Sequence, residues 1–148
     1  MDKRIPVGGG LGGGSADAAA MMLAVREMFD LELTDDRLIE LAGELGSDVA
    51  YFLGDGPAYV GGLGGEIERT ASLSGDVGGL VLVMPDFGCP TGAVYRAFDE
   101  RPVRGLRDDE VREMAHAGRV EAAALFNDLE DAAIAVAPGL EALFGRVE

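Results

Sequence analysis

Between Ser15 and Phe29 the apolar positions recur with a helical period. Ala18, Met21 or Met22, Val25 and Phe29 fall at i, i+4, i+7 and i+11, an apolar stripe suited to a core. The spacing predicts a helix from Ser15, whose hydroxyl suits a capping role, to about Phe29. Its methionines read as packing groups. Thr34 then caps a second helix, Asp35 to Leu45, with Asp35 and Asp36 in its first turn and Gly46 as its stop. Leu38, Ile39, Leu41 and Leu45 form the side expected to be buried. Residues 46–54 are short, bracketed by glycines and largely apolar, with Asp48 as a polar exception. Ala58-Tyr59-Val60 and Glu66-Ile67-Glu68-Arg69 read as two short strands around a loop. Ser74-Gly75-Asp76 is a turn and the expected boundary between lobes. Leu80-Val81-Leu82-Val83-Met84 is a near-continuous apolar strand closed by Pro85. Helices follow: from Pro90 or Thr91 to Phe98, from Asp108 to Ala117, from Asn127 to Ala135, and from Pro138-Gly139 onward. The order is α+β, without a regular βαβ alternation and without an internal repeat.

The chain has 148 residues, enough for one domain or parts of two small lobes, and its 48% hydrophobic content supplies a core. The longest apolar runs are far too short to span a bilayer, and no secretory signal pattern is read at the start. Cys89 is the single cysteine, which leaves no internal disulfide and no Cys/His metal spacing. The expectation is a cytoplasmic protein. Net charge is −15, and Lys3 is the only lysine among 12 cations. Such acidity works against nucleic acid and anionic membrane as partners. It also repels nucleotides. Phosphate binding here would rest on local backbone dipoles, a few arginines or Lys3, and a divalent cation.

One segment points to phosphate all the same. Pro6-Val7-Gly8-Gly9-Gly10-Leu11-Gly12-Gly13-Gly14-Ser15 runs directly into the Ala/Met/Leu helix, and six glycines fill the seven positions from 8 to 14. Glycine loses the most backbone entropy on ordering, so the run forms a loop rather than a regular element. A loop that exposes backbone N–H groups at the positive end of a helix dipole is an anion cradle. Gly8-x-Gly10-x-x-Gly13 satisfies the dinucleotide fingerprint in spacing alone. Only Arg4-Ile5-Pro6-Val7 precedes it, and no second strand ends in an acidic residue about 20 positions on. No lysine follows the glycines as a Walker A loop requires. A protein-kinase glycine loop lies in a β-hairpin, not before a helix.

The pattern Pro-x-Gly-x-Gly-Leu-Gly-Gly-Gly-Ser from Pro6 to Ser15 resembles the GHMP small-molecule kinases, the family of galactose, homoserine, mevalonate and phosphomevalonate kinases. The resemblance continues in order along nearly all of the chain. It includes Lys3-Arg4-Ile5-Pro6, Gly46-Ser47-Asp48-Val49-Ala50-Tyr51-Phe52-Leu53, Ala58-Tyr59-Val60 with Gly64-Gly65-Glu66, and Asn127-Asp128-Leu129-Glu130. These segments are similar to the member of the family that acts on a cytidine diphosphate-linked methylerythritol in non-mevalonate isoprenoid synthesis. The resemblance implies an α+β fold with a GHMP kinase-like (ribosomal protein S5 domain 2-like) lobe over residues 1–76. Residues 77–148 would begin an α/β C-terminal lobe. The activity implied is transfer of the ATP γ-phosphate, with Mg²⁺, to the 2-hydroxyl of that small molecule. Another GHMP kinase, of homoserine or mevalonate type, and a non-catalytic nucleotide-binding fragment stay open. The family's N-terminal strands with their lysine and Arg-x-Asp-Gly-Tyr-His segment, and its C-terminal glycine-rich motif, have no match here. The chain therefore reads as the middle half of such an enzyme. Uncovered sheet edges and helix faces are then expected to favour association, a homodimer included.

By the same resemblance Pro6, Val7, Gly8, Gly9, Gly10, Leu11, Gly12, Gly13, Gly14, Ser15 and Ala16 hold ATP. The Ser15 hydroxyl either caps the helix or also reaches a β-phosphate or Mg²⁺. Asp48 falls at the family's active-site aspartate, where a carboxylate among apolar neighbours is placed to take the proton of the attacking hydroxyl. The competing reading is that Ser47 or Asp48 caps the short helix that follows. Lys3 and Thr91 take substrate-facing positions. Asp17 reads as a first-turn carboxylate that complements the helix dipole. Asn127 to Glu130 is explained equally by a capped helix start. His116 stands alone on a polar helix and reads as exposed and inert, and Cys89 as a loop residue without a base beside it.

Overall fold

Two helices and a β-hairpin follow one another in the first half of the chain, as the hydropathy pattern predicts, with a short 3₁₀ turn between them. A computed structural model describes residues 9–70, 72, 79–101, 107–118 and 122–147. Helix α1 spans Gly13–Met28 and α2 spans Asp35–Leu45; the 3₁₀ turn covers Ala50–Leu53. Strands β1 (Ala58–Gly61) and β2 (Glu66–Arg69) pair antiparallel, with Tyr59 opposite Glu68 and Val60 opposite Ile67. Helices α3 (Thr91–Asp99), α4 (Asp108–Ala117), α5 (Glu130–Val136) and α6 (Gly139–Val147) follow, with a second 3₁₀ turn at Ala122–Ala124. Among the described residues this hairpin is the only sheet, and the mixture of elements is consistent with an α+β fold. The chain divides into two units. One comprises Gly12–Val77 and Arg107–Val120; the other comprises Met1–Leu11, Gly78–Leu106 and Glu121–Glu148.

The first unit is built on small side chains. Ala19 and Ala42 are fully buried beside Val49 and Ala50, and Met22, Ile39, Phe52, Leu53 and Ile67 close over them. Alanine faces let α1, α2 and the 3₁₀ turn approach closely, which is how a short segment such as Ala50–Leu53 becomes part of a core. Thr34 caps α2 as expected: its Oγ1 accepts the Arg37 N–H at 3.3 Å, a bond worth about 1 kcal/mol. Arg26 of α1 pairs with Asp35 of α2 at 2.8 Å. The apolar stripes are shorter than the sequence implies. Phe29 and Leu45 are 65% and 63% exposed. Phe29 sits on the C-cap of α1 and Leu45 is the last residue of α2, so neither belongs to the turns that pack.

Helix α4 belongs to this unit and meets the hairpin along one face. Asp108, Arg112 and His116 are spaced four apart, so they line a single stripe. The Tyr59 hydroxyl donates to Asp108 at 2.5 Å, and the Arg112 guanidinium lies 4.6 Å from the Tyr59 ring centre. Arg112 and His116 divide the Glu68 carboxylate, at 3.1 Å and 3.2 Å. His116 is therefore exposed but not alone, a correction to the sequence reading. Its partner lies 48 residues away, beyond the reach of local pattern.

In the second unit α3 packs on α5 and α5 on α6, around buried Val94, Ala132 and Ala137. Arg101 pairs with Asp131 at 3.0 Å. Helix α5 starts at Glu130, later than Asn127, because the Asn127 Oδ1 accepts the Leu129 N–H at 3.0 Å and makes a local turn first. The strand expected at Leu80–Met84 is not formed. These five side chains are 49% to 97% exposed, and a strand needs a neighbouring strand that the described residues do not supply. The expected boundary turn Ser74-Gly75-Asp76 lies outside the described residues.

Candidate functional site

The chain enters α1 through Gly12, whose φ of +66° lies in the left-handed region that favours glycine. A Cβ there would sit 2.7 Å from the Phe52 ring. The helix starts at Gly13, two residues before Ser15. Ser15 is not the N-cap, and no side chain caps this end. The first bond inside the helix runs from the Ala16 N–H to the Gly12 carbonyl at 2.9 Å. The N–H groups of Gly12, Gly13, Gly14 and Ser15 thus have no acceptor within the helix. Asp17 falls in the second turn, not the first, so the first turn of α1 carries no carboxylate, whereas α2 and α4 each place acidic residues there. A helix start with free amides and no competing negative side chain is suited to an external anion.

The segment that follows Asp48 packs on α1 through the core. Val49 and Ala50, which follow Asp48, are buried against Ala19 of α1, and the 3₁₀ turn packs on that helix. Asp48 itself is exposed, so it does not lie among apolar neighbours as the sequence implies; the apolar residues around it in sequence point inward while it points out. The N-cap of the 3₁₀ turn is Val49, with no side-chain cap, so neither Ser47 nor Asp48 plays that part. Among the described residues no hydrogen bond or ion pair reaches the Asp48 carboxylate.

Three residues that sequence reasoning missed hold this segment. Phe52 fills the space beside Gly12. Arg69 bonds the Tyr51 carbonyl and, at 3.2 Å, the Gly56 carbonyl, while its guanidinium lies 5.1 Å from the Tyr51 ring centre. Gly64, in the hairpin turn, abuts Ser47 so closely that a Cβ would lie 1.8 Å from the Ser47 carbonyl oxygen. The glycine-rich turn at 61–65 was the one available signal for the last contact, and nothing in sequence marked the other two. Lys3, Pro6, Val7 and Gly8 lie outside the described residues. Thr91 is exposed and opens α3, next to its N-cap Pro90. Cys89 is half-buried, its Sγ 4.0 Å from the Ala133 carbonyl oxygen. Among the described residues no cluster of three His, Cys, Asp or Glu is placed to hold a metal ion, and no helix is long and apolar enough to cross a membrane.

Residues 1–59 match the family described as GHMP kinases N terminal domain. The chain is similar to GHMP kinases over these residues and, in its relatives, along nearly all of its length. Among its relatives, a protein of Arthrobacter sp. (strain FB24) is 40% identical over all of this chain and 49% of its own length. One of Desulfitobacterium hafniense (strain Y51) is 39% identical over 93% of this chain and 48% of its own. A third, of Pelotomaculum thermopropionicum, is 49% identical over 66% of this chain and 33% of its own. Each of the three is named 4-diphosphocytidyl-2-C-methyl-D-erythritol kinase. The chain spans about half or less of the length of these relatives.

Proposed function

We propose that this chain carries the ATP-binding loop and the active-site aspartate of a kinase that phosphorylates the 2-hydroxyl of 4-diphosphocytidyl-2-C-methyl-D-erythritol. The single observation that carries the reading is the start of α1: N–H groups of Gly12 to Ser15 without internal acceptors, no first-turn carboxylate, and the segment after Asp48 packed alongside. In this reading residues 1–76 are the ATP-binding lobe and 77–148 part of a C-terminal lobe. Pro6 to Ala16 wrap the phosphates, with Lys3 and Thr91 toward the substrate. The cytoplasm is the expected compartment.

The residues present fit a nucleotide better than they fit a bare metal ion. Free amides suit phosphate oxygens, while Mg²⁺ would take the Ser15 hydroxyl and phosphate oxygens instead of a carboxylate cluster. Bound ATP with Mg²⁺ supplies the transferable phosphoryl group and neutralises its charge. The glycine amides orient the phosphates and fix where negative charge accumulates. Asp48 orients the substrate alcohol and accepts its proton as the oxygen attacks phosphorus. Its exposure leaves it open to a substrate hydroxyl.

Replacing Asp48 by Asn keeps shape and removes the base. Turnover of labelled ATP should fall about 10²–10⁴-fold with the far-UV spectrum unchanged. Undiminished turnover would refute the role.

A further inference from the structure

The tip of the hairpin does more than connect two strands. Gly64 has φ +89°, and its turn is closed by the Gly64 N–H donating to the Gly61 carbonyl at 3.1 Å. A Cβ on Gly64 would lie 1.8 Å from the Ser47 carbonyl oxygen, 2.6 Å from its carbonyl carbon and 3.0 Å from its Cα. All three are backbone atoms, which cannot swing aside as a side chain can. That carbonyl carbon is bonded to the Asp48 nitrogen. The hairpin turn is therefore pressed against the peptide that carries Asp48.

The other side of the segment is held as well. Arg69, at the end of β2, bonds the Tyr51 carbonyl three residues beyond Asp48. The hairpin is in turn braced on α4 through Tyr59–Asp108 and through Glu68 with Arg112 and His116. Between the two grips, the Val49 N–H bonds the Gly46 carbonyl and the Phe52 N–H bonds the Val49 carbonyl, each at 3.1 Å. Among the described residues no side chain partners the exposed Asp48 carboxylate, so its backbone aims it. We propose that Gly64 is a positioning residue for Asp48: the side-chain-free turn is a backstop that sets the Ser47–Asp48 peptide and so the direction of the carboxylate. This deepens the reading of Asp48 as the active-site aspartate and rests on it.

The test compares Gly64→Ala with Gly65→Ala in the 148-residue chain. Gly65 lies in the same turn, but a methyl there meets nothing within 4 Å. In the unsubstituted chain, a nuclear Overhauser contact should join the Gly64 and Ser47 α-protons. In Gly64→Ala, hydrogen exchange at the Val49 and Phe52 amides should quicken about tenfold or more, with α1 and α2 amides unchanged. Gly65→Ala should leave all of them as they were. Turnover should fall about 10²-fold through kcat, with KM for ATP within about twofold. Gly64→Ala should slow the Asp48→Asn variant no further, because Gly64 acts only through that carboxylate. Absence of the contact, unchanged Val49 and Phe52 exchange, or a uniform loss of protection across α1 and α2 overturns the proposal. So does an additive loss in the double variant. Full turnover in Asp48→Asn alone would instead refute the catalytic reading of Asp48 and leave the exchange data to decide the backstop.

Discussion

The ring of Phe52 occupies the space that a side chain on Gly12 would need, and this contact joins the start of α1 to the segment carrying Asp48. Two parts of the sequence 40 residues apart are thereby packed together. Gly12→Ala should be costly twice over. Its φ of +66° costs a residue with a Cβ roughly 1–2 kcal/mol, and the methyl pushes on the ring. Thermal or urea unfolding should show a loss of at least that size, and the affinity for ATP should drop with it. A variant as stable as the parent would show that Phe52 yields freely and that the junction is loose.

The bond between Tyr59 and Asp108 gives the hairpin and α4 a dependence on alkali. The Tyr59 phenol is held above its ordinary 10.0 because its O–H donates to the Asp108 carboxylate, with burial and the charge of Asp108 adding and Arg112 opposing. A phenol that keeps its proton more tightly when folded contributes stability that is complete below pH 10. That contribution is lost as the pH rises through the raised folded value. Asp108→Ala should lower the Tyr59 titration midpoint, followed by NMR, remove this stabilisation below pH 10 and flatten the hairpin's loss of stability in alkali. An unmoved midpoint would contradict the assigned cause.

Leu80 to Met84 presents an uncharged, β-prone run with side chains 49% to 97% exposed. Such a run is a template for pairing with another chain. Val81→Lys should change folding stability by no more than about 0.5 kcal/mol, since Val81 is 87% exposed. It should reduce concentration-dependent association in sedimentation velocity. Equal association of parent and variant would place the contact elsewhere.

Local signals carried much of the fold into the sequence. Thr34 with Asp35, Asp36 and Gly46 delimits α2 from end to end, because cap, dipole and stop are all short-range effects. Helix α4 and the two hairpin strands were legible for the same reason. What failed depends on partners far along the chain. Leu80–Met84 has strand chemistry and no strand beside it. Ser15 has capping chemistry, but the chain enters α1 through Gly12 in the left-handed region and the helix starts two residues earlier. At the candidate site, the glycines and Asp48 stood out by residue type. Arg69, Phe52 and Gly64 did not, since Arg69 and Gly64 act only once the hairpin folds back onto residues 47–56 and Phe52 only once that segment packs on α1.

The most direct measurement is amide hydrogen exchange at Gly12, Gly13, Gly14 and Ser15 in the 148-residue chain, with and without ATP and Mg²⁺. These amides should exchange quickly alone and slow markedly when nucleotide is present, with the rest of α1 little changed. Equal exchange at saturating ATP, or strong protection before any is added, would contradict a phosphate grip at the start of α1.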